Sequence, residues 1–106
     1  MAKYLLQASY TVDGVKGLLK EGGSARRAVV ERLATSLGGT VESFYYAFGE
    51  NDLYVISEFP DNVAAAAIGL TVVASGAVSC KTTVLLTAEE IDAATRTSPT
   101  YQPPGQ

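Results

Sequence analysis

Residues 41–59, VESFYYAFGENDLYVISEF, decide the fold. Val41 to Phe48 is an aromatic, β-favouring run, and Leu53 to Phe59 is a second one. Between them Gly49, Glu50, Asn51 and Asp52 supply turn chemistry, so the two runs read as an antiparallel hairpin. A hairpin in mid-chain must find other strands to pair with, because two strands alone are marginal in water.

Working outward, Ser24 reads as the N-cap of a helix that sets Val30, Leu33, Ala34 and Leu37 on one stripe. Gly38 and Gly39 end it. Before it, Thr11 to Lys20 holds Val15, Leu18 and Leu19 at helical spacing, weakened by Gly14 and Gly17. Lys3 to Tyr10 reads as the first strand. After the hairpin, Pro60, Asp61 and Asn62 open an alanine-rich helix to about Ser75, with Ala65, Ile68 and Val72 inward. Gly76 stops it, and Ala77 to Leu86 is the fourth strand. Thr87 and Glu90 have capping-box spacing and start a short final helix.

The order β-α-β-β-α-β predicts an α+β, ferredoxin-like sandwich, with both crossover helices on one sheet face. Residues 1–95 form the expected domain. From Arg96 onward, Pro99, Pro103, Pro104 and Gly105 predict an extended tail, 96–106, that either stays loose or lies across a partner.

Strand alternation divides the sheet into two faces. One carries Tyr4, Leu6, Ala8, Phe44, Tyr46, Phe48, Leu53, Val55, Phe59, Val78, Cys80, Thr82, Val84 and Leu86, and is assigned to the helices. The other carries Lys3, Leu5, Gln7, Ser9, Val41, Ser43, Tyr45, Tyr54, Ile56, Glu58, Ser79, Lys81, Thr83 and Leu85. Four strands at ~4.8 Å spacing and about 18 Å long present roughly 350 Å². That reaches the largest patch a monomer normally exposes. Covering about 300 Å² of apolar surface is worth on the order of 7 kcal/mol before association costs. A homodimer closed face to face, making a dimeric α/β barrel, is therefore expected, with higher homo-oligomers open.

At 106 residues the chain suits one domain. Its net charge of −3 gives no field to attract nucleic acid or an anionic membrane, so neither is expected as a partner. Histidine is absent, which removes the commonest general base and metal ligand. Cys80 stands alone, so no disulfide framework and no thiolate cluster form. No metal and no cofactor are expected. Lys3 is followed by only a short apolar stretch, without a signal-peptide core, and a cytoplasmic location is expected.

Together, KYLLQASYT, GLLKEGGS, YYAFGENDLYVI, SGAV, KTTVLLT and YQPPG resemble the GYD-domain family across nearly the whole chain. That resemblance implies a dimeric α/β-barrel fold of the ferredoxin type and no assigned activity. Asn51 precedes Asp52 where the family's motif usually has tyrosine, so a role for that tyrosine does not carry over.

No constellation here is an enzyme signature. The first functional expectation is a homo-oligomeric structural or small-molecule-binding module, its ligand small and mostly apolar. Gln7, Ser9, Tyr45, Tyr54 and Lys81 are the ligand-binding candidates, as the polar and phenolic groups of the barrel face. The alternative is a cofactor-independent enzyme of monooxygenase, isomerase or decarboxylase type, with Glu58 as the candidate base. Pairing of Glu58 with Lys3 is the commoner arrangement for such charges. Ser24, Arg26 and Arg27 form a candidate anion site at a helix start, set against an ordinary solvated helix end. Asp52 reads first as a turn residue, Tyr46 as structural, and Cys80 as a small buried hydrophobe.

Overall fold

The computed structural model describes residues 1–106 and contains eight elements. They are β1 (Ala2–Tyr10), α1 (Val12–Glu21), α2 (Gly23–Ser36), β2 (Thr40–Tyr46), β3 (Leu53–Phe59), α3 (Asn62–Ala74), β4 (Val78–Leu85) and α4 (Ala88–Thr95). The four strands form one sheet in the order β2-β3-β1-β4, antiparallel at every pairing. Each crossover therefore joins strands that a third strand separates, which is the ferredoxin-like split arrangement.

Tyr4, Leu6 and Ala8 of β1, Leu53, Val55 and Phe59 of β3, Ala34 of α2, and Ala65 and Ile68 of α3 make the buried core. Both crossover helices thus cover one face, as expected. Tyr4 also packs its ring on Phe59 and donates its hydroxyl to Asn62 Oδ1 at 2.6 Å, which ties β1 to the start of α3. Asp61 caps that helix by accepting from the Ala64 amide.

Two glycines permit close backbone approaches. A Cβ on Gly39 would lie 2.4 Å from the Glu58 carbonyl oxygen, and one on Gly14 would lie 2.0 Å from that of Ala77. At Gly14 the close fit is fastened by Thr11. Its hydroxyl accepts from the Gly14 amide and donates to the Gly76 carbonyl, while its own amide bonds Ala77.

Four local expectations change. Gly22, with φ of 86°, is the N-cap of α2, and no side chain caps it. Ser24 already lies in the first helical turn, because α1 runs to Glu21 and a single glycine makes the break. Val41 faces the helices and not the open face. A bulge between Val41 and Ser43 reverses the alternation, so Val41 pairs with Ser57 while Ser43 pairs with Ile56. Phe48 and Leu86 fall outside the strands and are solvent-exposed, since pairing ends at Tyr46 and Leu85.

The C-terminal segment leaves the body. The radius of gyration is 17.0 Å, against about 13 Å for a compact chain of this length. Every residue from Ala88 to Gln106 is exposed, and hydrogen bonds in this segment are local. The capping box between Thr87 and Glu90 holds α4 together without tertiary help. No helix is long and apolar enough to cross a membrane.

Candidate functional site

The open sheet face is organised in rows running across the strands. One row is Tyr45, Tyr54, Gln7 and Lys81, one residue from each strand in the order β2-β3-β1-β4. Four of the five ligand-binding candidates thus stand side by side, joined by pairing register alone. The fifth, Ser9, lies two residues along β1 from Gln7, with its hydroxyl 3.5 Å from the Glu50 carbonyl and Asn51 Oδ1. Asn51 in turn lies 3.4 Å from the Tyr54 hydroxyl, linking the hairpin loop to the row. The next row, Ser43, Ile56, Leu5 and Thr83, carries apolar side chains at its centre.

The third row holds the charges. Lys3 pairs with Glu58 at 3.2 Å and forms a shorter bond to Glu42. These bonds raise the Lys3 pKa above its ordinary value, the hydrogen bond that Lys3 donates to Glu42 first and the one to Glu58 second. Glu42 was not foreseen. It is the bulge residue, and strict alternation would send it to the helices. A signal was present, since Val41 and Phe44 are both apolar yet three apart, which one strand can bury together only through a bulge. Lys81 makes no ion pair.

The anion candidates separate. Ser24 and Arg27 border a shallow depression beside Phe44 and Tyr46, whereas Arg26 lines a different cavity. Arg26 contacts Glu21 and Arg27 contacts Glu31, each at 3.4 Å. Tyr46 is structural, donating its hydroxyl to the Gly23 carbonyl and packing edge-on against Phe44. Asp52 holds backbone, as expected of it, but its donor is distant in sequence. Its carboxylate accepts from the Tyr10 amide at 2.9 Å, closing the end of β1.

The most apolar concavity lies on the other side of the sheet, and alternation could not have disclosed it. α2 packs over β2 while α3 packs over β4 and β3. The gap between the helices is a cleft of about 200 Å³, with Leu6, Ala8, Val55 and Cys80 from the strands and Val30 and Val72 from the helices. Small residues, among them Ala8, Ser57, Ser75 and Ala77, line space that a filled core would give to larger ones. Arg26 is the only charged lining residue, and Tyr10 also lines the cleft. Burial pushes the Tyr10 phenol up to about 12, reinforced by the neighbouring Tyr46 hydroxyl and only partly opposed by Arg26. Burial likewise raises the Cys80 thiol, which is half-buried in the cleft wall, against a smaller lowering by Thr82.

No group of three or more His, Cys, Asp or Glu side chains converges as a metal site would require. The α+β fold is ferredoxin-like, with one sheet face covered by helices and the other bare. The chain belongs to the GYD domain family, whose model matches residues 4–95. That match spans the four strands and four helices and stops before the proline-rich tail. No curated protein and no solved structure matches it.

Proposed function

We propose that this protein is a homo-oligomeric binding or structural module in which the bare sheet face closes against the same face of a second copy, forming a barrel. The observation that carries this reading is the make-up of the face. Leu5 and Ile56 occupy its middle, Tyr54 and Tyr45 continue them, and Tyr45 is 71% exposed. The charges on the face, Lys3, Glu42, Glu58 and Lys81, sum to zero, so two copies meet without net repulsion. An isologous contact is self-complementary when each copy offers both signs. Here the acidic surplus around Lys3 and the unpaired Lys81 lie on different rows. The polar row of Gln7, Tyr45, Tyr54 and Lys81 lines whatever space is left between the sheets, where a small ligand is held.

The C-terminal arm supports the same reading. Ile91 and Tyr101 are exposed on a segment whose hydrogen bonds are all local, and a partner copy gives them a surface. The enzymatic alternative needs Glu58 free to take a proton. Its pairing with Lys3 favours the module.

Native mass spectrometry of freshly purified protein tests the proposal. The expected species is a dimer or a multiple of dimers, with any retained small molecule visible as added mass. A single species at 11.1 kDa contradicts it.

A further inference from the structure

The cleft between α2 and α3 lies on the opposite side of the sheet from the proposed dimer face, so it stands or falls independently. We propose that this cleft binds a small aromatic or branched aliphatic monocarboxylate, its hydrocarbon part against Leu6, Ala8, Val55 and Val72 and its carboxylate on Arg26.

Size comes first. The cleft offers about 200 Å³, and an apolar cavity of about 150 Å³ already accepts benzene. A ring or branched chain with one small polar group therefore fits, and a nucleotide or flavin does not. Eleven of the fifteen lining residues are hydrophobic, so most of the ligand must be hydrocarbon. The remaining specificity lies in Arg26. Its one ion-pair contact, Nη1 to Glu21 at 3.4 Å, is long and uses a single nitrogen. A guanidinium carries five donors in a fork that matches a carboxylate, so further donors remain. Tyr10 lines the same cleft and keeps its proton at neutral pH, so its hydroxyl becomes a second donor for the same group by turning from Tyr46.

Cys80 is a built-in reporter, because it lines the cleft and is the only thiol in the chain. The test follows alkylation of Cys80 by iodoacetamide with benzoate, phenylacetate or isovalerate present to about 10 mM, enough to saturate a millimolar site. At least one of these carboxylates is expected to slow alkylation about tenfold, since a covered thiolate cannot be attacked. Arg26→Gln should weaken that protection roughly tenfold by removing a charge-assisted pair. Thr71→Phe, at the cleft's exposed margin, should abolish protection while circular dichroism stays unchanged. Val72→Phe is the second filling variant should the first fail to fold.

Unaltered alkylation with all three carboxylates overturns the proposal. So does equal protection by toluene that Arg26→Gln leaves untouched, which would make the cleft an apolar void without a carboxylate subsite. A monomer in the native mass spectrum leaves this result unaffected, and the two readings fail separately.

Discussion

Along β3, Leu53, Val55, Ser57 and Phe59 are buried beneath the helices, whereas Tyr54, Ile56 and Glu58 between them remain half-exposed. β1 repeats the contrast, with Tyr4, Leu6 and Ala8 buried and Leu5, Gln7 and Ser9 less so. Ile56 and Leu5 are no more polar than Val55 and Leu6. What separates the two sets is the presence of a second layer, which α2 and α3 provide on one side only. The open face is chemically half a core without a cover in its own chain, and the proposed dimer rests on that asymmetry.

The largest effect should come from the covered side. Phe59 is 0% exposed, and Phe59→Ala should cost about 3–5 kcal/mol in urea unfolding through lost burial and a cavity. A loss under 1 kcal/mol would mean that the helix layer does not hold the sheet as described.

On the bare side a charge should act on association and not on folding. Ile56→Lys should weaken the dimer by roughly 3 kcal/mol, as expected at the centre of an interface, while the resulting monomer still unfolds cooperatively in urea, its midpoint lowered only by the lost association. Light scattering reads the first and denaturation the second. The control is Leu70→Lys, on the outer face of α3, where Leu70 is 73% exposed beside Val63 and Val73. It should leave the dimer intact. If Leu70→Lys dissociates the protein and Ile56→Lys does not, the interface is the helix stripe.

Packing around α1 gives a finer comparison between a touched and an untouched position. Gly17 has nothing within 4 Å of an added Cβ, so Gly17→Ala should stabilise by about 1 kcal/mol through helix propensity. Gly14→Ala enjoys the same propensity but drives a methyl into the Ala77 carbonyl, and should destabilise by about 1–3 kcal/mol. Thermal melts of both variants separate the two cases.

The smallest effect is a titration. The folded Tyr10 phenol loses its proton at about 12 rather than 10.0. The folded state therefore binds more protons than the unfolded state between these values. Stability due to this group is complete below pH 10 and is lost as pH rises towards 12. Tyr10→Phe should flatten that decline and remove the last phenolate step in an ultraviolet titration. An unchanged titration curve would place the late step elsewhere.

The element order was readable in the residues because each signal was local. Turn chemistry at 49–52, the stripe of Val30, Leu33, Ala34 and Leu37, and the Thr87–Glu90 capping box all depend on neighbours within a few positions. Most of the open face was readable too, since alternation is a property of a strand by itself. What failed depended on pairing or on the space between elements. The bulge at Glu42 exists only because β2 must match β3, and it moved Val41 to the core and brought Glu42 to Lys3. The helix start moved from Ser24 to Gly22 because α1 runs to Glu21 and one glycine, in the left-handed region, suffices for the break that two were expected to make. The cleft arises where two helices straddle the sheet without meeting, a distance that no single segment encodes.

Sedimentation equilibrium at micromolar concentration weighs the missing cover directly. Wild-type protein should sediment at twice the chain mass of 11.1 kDa or an even multiple of it. A lone 11.1 kDa particle at that concentration would show that Leu5, Ile56, Tyr54 and Tyr45 meet water, and the barrel would be lost.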